Sequence, residues 1–277
     1  MMIKNLHIKD VALTALTNAY KIHEKLGPCG KEMVKRNQFD EKALRVDVEA
    51  EKGVIQTLRH NRVPIKIVSE EHGTIIIGNN PEYLGILDGL DGTGVYKKSR
   101  GKGRYGTMFA IFSGLDPKYS NYLFSGAMEH STGRLFYAMK KYGAFVIEDA
   151  IQTPIYTSGQ KKISKSSKIY IDEYFDINRK TFLSKLLNYN TSYLGSSCTY
   201  YVDLASGKAD LVLECTRKNN LEIAVAYGLI TEAGGAMMSI DKTKLGQMKY
   251  NTFGQHCHIP VVTASTKQLA LNLIDRI

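Results

Sequence analysis

The sequence predicts a layered mixed fold, α+β in its first half and α/β in its second. Three observations carry this reading. A long helix-periodic stretch opens the chain, hairpin-linked strands fill residues 106–146, and strands alternate with helices from residue 169 onward. The 277 residues suffice for one large domain or two packed halves, and we divide them into an N-terminal half, 1–150, and a C-terminal half, 151–277.

Leu6, Val11, Leu13, Leu16, Ala19, Ile22 and Leu26 recur at helical spacing until Gly27-Pro28 stops the run. A second helix starts near Asp47, carries Glu51, Val54, Ile55 and Leu58, and ends before residues 61–64. Residues 64–69 alternate as a strand that delivers Glu70, Glu71 and His72 at its end. Residues 74–77 form a short strand, and residues 83–87 another that leads straight into Asp88. After Tyr96 comes the basic, Gly-containing stretch KKSRGKGR, residues 97–104. Between 106 and 146 the pattern is strand, turn, strand, turn, strand, an antiparallel meander with turns at 118–121 and Gly133. Residues 151–168 are polar and basic and read as the seam between halves. Strands at 169–171, 192–194, 209–213, 236–239 and 260–264 then alternate with helices over 178–187, 200–206, 222–233 and 266–274. Gly234-Gly235 stops the third of these helices.

Composition excludes several classes. With 43% hydrophobic and 23% charged residues the chain reads as an ordinary soluble globular protein. Cys29, Cys198, Cys215 and Cys257 show no C-x-x-C spacing, which argues against a zinc ribbon or disulfide framework and for reduced thiols in the cytoplasm. The first ten residues carry charge and lack an apolar core, so no signal peptide is expected. No apolar run approaches the roughly 20 residues of a membrane span. The net charge of +10 favours anionic partners, either phosphorylated metabolites, nucleic acid or acidic lipid; a merely solvated basic surface is the bland alternative.

The stretch LDGLDGTGVY, residues 87–96, organises the rest. Asp88 and Asp91 are paired carboxylates at short spacing, suited to a hard cation such as Mg²⁺. Gly92, Thr93 and Gly94 follow at once, small residues whose N–H groups suit phosphate where a helix starts. Read alone, the same letters also fit an Asp/Gly surface turn. Asp47 likewise reads by default as a helix N-cap, worth about 1 kcal/mol. His256, Cys257 and His258 alternate like a strand and lack a third partner, so no metal site is read there. Glu71 and His72 read as polar loop surface, with contact to a metal-bound water the alternative for Glu71.

Glu70 at one strand end, Asp88 and Asp91 at the next, and Glu222 opening the helix toward Glu232-Ala233-Gly234-Gly235 together resemble the inositol monophosphatase family of metal-dependent phosphatases. That family includes fructose-1,6-bisphosphatases and 3′-phosphoadenosine 5′-phosphate phosphatases. Asp47 with Glu51, the turn Leu194-Gly195-Ser196-Ser197, and Gly207-Lys208-Ala209-Asp210 fall in the same register, so the likeness covers nearly the whole chain. Gly89 replaces the family's Pro, Val95 its Asn, and Leu221-Glu222 its W-D.

The resemblance implies a layered αβαβα sandwich and a phosphomonoesterase using two to three Mg²⁺. It assigns Glu70, Asp88 and the Leu90 carbonyl to one ion, and Asp88, Asp91 and Glu222 to a second. Thr93, hydrogen-bonded to Asp47, would orient the attacking water, with Glu70 sharing the catalytic role. Gly92, Thr93 and Gly94 would hold phosphate, while Ser196, Ser197 and Glu214 would touch the leaving group. It further implies a homodimer or homotetramer, Li⁺ sensitivity, and a substrate such as inositol monophosphate or fructose 1,6-bisphosphate. A nucleotide 3′-phosphate is the alternative, and membrane or nucleic-acid partners are not expected. A catalytically decayed relative that binds a phosphorylated ligand or RNA is the competing reading; the retained acids oppose it. Lys97, Lys98, Arg100, Lys102 and Arg104 are either a solvated loop or, with Arg100 and Arg104 foremost, a grip on a second phosphate.

Overall fold

The computed structural model describes residues 2–37, 42–99, 103–217 and 219–277. Helix α1 (Met2–Leu26) ends in a 3₁₀ turn over Gly27–Lys31, and a short hairpin, β1 (Met33–Arg36) and β2 (Lys42–Leu44), leads into α2 (Arg45–His60). Next come β3 (Ile65–Ser69), β4 (Gly73–Ile77), β5 (Tyr83–Asp91) and the short helix α3 (Thr93–Ser99). The meander comprises β6 (Gly106–Ser113), β7 (Tyr122–Glu129), β8 (Arg134–Met139), β9 (Gly143–Glu148) and β10 (Ile151–Ile155). The remainder runs β11 (Lys168–Ile171), α4 (Asp176–Phe182), β12 (Asn190–Ser192), α5 (Ser197–Ala205), β13 (Leu211–Cys215), α6 (Leu221–Glu232), β14 (Ala236–Ser239), β15 (Pro260–Ala264) and α7 (Lys267–Ile274).

Two large sheets form, among the described residues, ordered β10-β9-β8-β7-β6-β5-β3-β4 and β12-β11-β13-β15-β14. The two-residue period of strands decides what lies on each face. On β6, Phe109 and Ile111 face α1 and α2 with Leu16, Val54 and Leu58, whereas Met108, Ala110 and Phe112 face α5 and α6. On β13, Val212 faces α5 and α6, whereas Leu211 and Leu213 face α4 and α7 with Phe182 and Leu269. The layers are therefore helix, sheet, helix, sheet, helix, the αβαβα sandwich expected. Helix α6 is apolar nearly all round because both of its sides are covered by sheets. Strand β5 is buried along its whole length for the same reason.

The structure corrects four local readings. The third strand of the meander is two, β8 and β9, divided by a turn in which Lys141 takes φ 69°. The supposed seam begins with β10, which pairs antiparallel with β9, so the first sheet continues to Ile155 and residue 150 lies in a hairpin turn. The β1–β2 hairpin was not anticipated. Asp47 is no cap: Leu44 is the N-cap of α2, and Asp47 lies inside the first turn, 3% exposed. No helix among the described residues is long and apolar enough to cross a membrane.

Candidate metal and phosphate site

Alternation along β5 puts Leu84 and Ile86 on the face toward α5 and α6, and Asp88, two residues on, continues that face. Register with β6 then slips: Asp88 opposes Met108 while Asp91 opposes Gly106, so three steps on β5 match two on β6. A bulge of this kind re-aims a strand end and brings the second carboxylate round to join the first. Gly89 sits inside it. A Cβ there would lie 2.6 Å from Asp47 Oδ1 and 2.7 Å from the Asp47 carbonyl oxygen, which explains why Gly stands where the family has Pro. Gly92, at φ +90°, turns the chain into α3 with the conformation L side chains avoid.

Asp91 is gripped from the second half. Its Oδ2 accepts from the Ser196 hydroxyl and, at 2.7 Å, from the Cys198 N–H in the first turn of α5. Glu222, opening α6, completes a cluster in which carboxylate oxygens of Asp88, Asp91 and Glu222 lie within 4.8 Å of one another. Burial, then Glu222, pushes Asp91 up to about 7, with Ser196 and Cys198 opposing. Burial, then Glu70, Asp91, Asp47 and Glu222, raises Asp88 well above the carboxylate range.

Beside this cluster α2 and the β3–β4 turn supply a second acidic group. Buried Glu51 accepts from the N–H groups of Glu70 and Glu71, both at 3.0 Å, from the Ser69 hydroxyl and from His72 Nδ1. This clamp fixes the turn that carries Glu70, which lines the cleft with Asp47 and Glu71. Burial, then Glu70, Glu71 and Glu51, raises Asp47; burial, then Glu51, takes Glu71 to about 7. Glu71 is thus no surface residue: it is 5% exposed and lines the site.

The cleft has a volume of about 650 Å³, with these acids on its floor. Leu90, Gly92, Thr93, Gly94, Ser196 and Ser197 line it, while Arg36, Lys42 and Lys97 supply cationic lining from the N-terminal half. Arg217, Asp172, Tyr174, Phe175 and Tyr193 line it from the C-terminal half, and sequence reading missed all five. Asp172 had a readable signal, an acid directly after β11, the criterion that found Glu70.

Several expected roles are corrected. The Thr93 hydroxyl donates to the Leu90 carbonyl at 3.1 Å, not to Asp47, whose Oδ1 is buried without a hydrogen-bond partner. The Ser196 hydroxyl donates to Asp91 and so positions that carboxylate, and Ser196 also lines the cleft. Glu214 lies outside the cleft lining, 2% exposed beneath Arg217, and accepts from the Tyr201 hydroxyl. Arg104 points into the layers: its guanidinium donates to Glu129 at 2.5 Å and, through two nitrogens at 2.8 Å, to Asp203. It holds β7 to α5 and does not reach the cleft. Arg100 and Lys102 lie outside the described residues.

The donor set fits a divalent cation. All the clustered ligands are hard carboxylate oxygens, they are largely buried, and their mutual repulsion is what a cation relieves. Asp88, Asp91 and Glu222 would hold one ion; Glu70 and the Leu90 carbonyl extend the set around Asp88.

With this geometry in place, comparisons with known proteins become informative. Residues 5–270 match the inositol monophosphatase family. A fructose-1,6-bisphosphatase/inositol-1-monophosphatase from Methanothermobacter thermautotrophicus is 27% identical over 200 residues, 69% of each chain. A bifunctional NADP phosphatase/NAD kinase from Methanocaldococcus jannaschii is 27% identical over 242 residues, 79% of this chain and 42% of that one. In fold, the chain resembles an inositol monophosphatase from Anabaena (Nostoc) sp. PCC 7120, at TM-score 0.71, 19% identity and coverage of 97% and 95%. It also resembles the fructose-1,6-bisphosphatase of Leishmania major, at TM-score 0.72, 16% identity and coverage of 96% and 94%. The match over nearly the whole chain, together with the carboxylates and the turn that carry it, makes this protein a member of the inositol monophosphatase family, an enzyme of the phosphoric monoester hydrolase class.

Proposed function

We propose that this chain hydrolyses the phosphate monoester of a small sugar or polyol in a Mg²⁺-dependent reaction, with inositol monophosphate and fructose 1,6-bisphosphate as the first substrates to test. The observation that carries the reading is the convergence of Asp88, Asp91 and Glu222 at the floor of a cleft whose lining also includes the Gly92–Thr93–Gly94 turn. Bound divalent cations supply Lewis acidity, neutralising phosphate charge and lowering the pKa of water.

The chain's own residues do the rest. Backbone N–H groups at the start of α3 donate to the phosphate oxygens, and Lys97 on the same helix adds positive charge. Thr93, tied to Leu90, fixes that turn. Glu71, raised to about 7 by burial and then by Glu51, offers a carboxyl group that takes and returns a proton near pH 7, and Asp47 beside it is raised well above the carboxylate range by burial and then by Glu70. Ser196 and the Cys198 N–H hold Asp91 in place, and the Glu51 clamp does the same for the Glu70 turn.

A second reading rests on Tyr174, Phe175 and Tyr193, which give one wall of the cleft an aromatic character suited to stacking a base. That favours a nucleotide phosphate such as NADP or 3′-phosphoadenosine 5′-phosphate, and a relative named for NADP phosphatase activity agrees with it. Phosphate release from the two sugar or polyol phosphates and the two nucleotides, with and without Mg²⁺, separates these readings. Glu222→Gln serves as the control, expected to lower kcat and raise the Mg²⁺ requirement. Release that ignores Mg²⁺, or a Glu222→Gln enzyme with an unchanged Mg²⁺ titration, would overturn the metal-site reading.

A further inference from the structure

The family resemblance gives Arg217 no role, yet its contacts set it at the cluster. One guanidinium nitrogen, Nη2, donates to Glu222, the carboxylate that α6 contributes to the cluster. The other, Nη1, is buried and makes no hydrogen bond; its nearest ion-pair partner, Asp172, is at 3.6 Å, too long for one. The guanidinium lies over the Phe175 ring, 4.4 Å from its centroid. Its backbone is anchored as well, since the Arg217 N–H donates to Asn220 Oδ1 at 2.5 Å and the Asn220 amide donates to the Phe253 carbonyl at 2.8 Å. The side chain is 23% exposed and lines the cleft from the C-terminal half, as Lys97 and the α3 turn do from the N-terminal half.

Two cations therefore have a claim on one carboxylate. Glu222 cannot offer the same oxygen to Arg217 and to a divalent ion shared with Asp88 and Asp91, and the two positive charges repel across it. A guanidinium released from Glu222 stays stacked on Phe175, stays charged, and keeps a nitrogen without a hydrogen bond in the cleft lining, beside Asp172. Planar, bidentate donors of this kind match phosphate oxygens.

We propose that Arg217 is a specificity-determining residue: it occupies Glu222 in the cation-free protein and, when a divalent cation takes that carboxylate, binds a second, non-reacting phosphate on the leaving-group side of the substrate. The second half of this statement rests on the phosphatase reading above; the first half does not. It moves the recognition of a second phosphate from the 97–104 stretch, where Arg104 is committed to Glu129 and Asp203, to the part of the lining that the C-terminal half supplies. It also makes cation and bisphosphate binding mutually reinforcing, because each removes a cost borne by the other.

The first test needs no turnover. Mn²⁺ binding to the substrate-free protein is measured by titration calorimetry for wild type, Arg217→Met, Glu222→Gln and the double variant. Competition predicts at least fivefold tighter Mn²⁺ binding in Arg217→Met and no such gain when Glu222 is already Gln. A gain that persists in the Glu222→Gln background reflects general charge removal and overturns the competition. The second test compares kcat/KM for fructose 1,6-bisphosphate and fructose 1-phosphate with Mg²⁺. Arg217→Met should lower the ratio at least tenfold, and Arg217→Lys, which keeps the charge and loses the planar fork, should fall between; an unchanged ratio overturns the phosphate role. Should Arg217→Met fail to fold, Arg217→Lys carries both comparisons with smaller changes of the same sign. If wild type releases phosphate from neither ester, the second-phosphate role falls with the phosphatase reading, while the Mn²⁺ cycle still decides the competition.

Discussion

Replacing Asp91 with Asn isolates the electrostatic cost of the cluster. The Asp91 carboxyl is raised from 3.8 to about 7, first by burial and then by Glu222. At roughly 1.4 kcal/mol per pH unit, holding it ionised costs the folded, cation-free protein about 4 kcal/mol. Because the folded value lies above the unfolded one, the folded state binds more protons between about pH 4 and 7. Stability therefore falls as pH rises through that window, and the cost is fully present above pH 7 and gone below about 4. Asn keeps an acceptor for the Ser196 hydroxyl and the Cys198 N–H and directs an amide donor toward Glu222. We expect Asp91→Asn to be about 2–3 kcal/mol more stable than wild type at pH 8 in chelator, a rise in Tm of about 5 °C for a chain of this size. Near pH 5 the gain should shrink to about 0.5 kcal/mol. Adding Mg²⁺ should raise the Tm of wild type and leave the variant almost unmoved, and the variant should release no phosphate. Thermal unfolding followed by circular dichroism at pH 5, 6.5 and 8 reads all of this. A variant no more stable than wild type at pH 8, or a gain equal at pH 5 and pH 8, would refute the reasoning.

Two other substitutions separate scaffold from site. Arg104→Met leaves buried Asp203 without its cation, while Glu129 keeps Arg134, and should cost about 3 kcal/mol by urea unfolding. KM for a phosphorylated substrate should change less than twofold; a several-fold rise would return Arg104 to the substrate. Gly89→Ala drives a methyl group against Asp47 and Glu51, so it should lose about 2 kcal/mol of stability and at least tenfold in kcat. Wild-type values for both would mean that α2 does not press on the bulge.

The strand that carries the acids was legible because its signal is local: an apolar run that ends in Asp88, a Gly-rich turn, and Glu70 at the end of the neighbouring strand. Layers followed from period and alternation, and α6 declared itself by being apolar on all sides. What failed was a matter of reach. Arg104 looked like one member of a charge run, yet its partners lie 25 and 99 residues away, distances at which sequence gives no pairing signal. Arg217 hid for a similar reason: it stacks on Phe175 and faces Asp172, both far upstream. Thr93 was assigned to Asp47 by resemblance, but as the first residue of α3 its hydroxyl is nearer the carbonyl three residues back. Arg36 and Lys42 escaped notice because β1 is largely exposed and β2 spans only three residues, too little in either case to leave a periodic pattern.

The grip of α5 on Asp91 spans 105 and 107 residues of chain. Contacts of such separation form late, since a long loop must close before they return any energy. A folding intermediate with the first sheet complete would therefore present Asp88 and Asp91 without Glu222 or the α5 N–H groups, and would hold a divalent cation poorly. Cation binding should then act almost wholly on the unfolding limb of the kinetics, prolonging the lifetime of the finished protein while leaving its rate of formation nearly untouched.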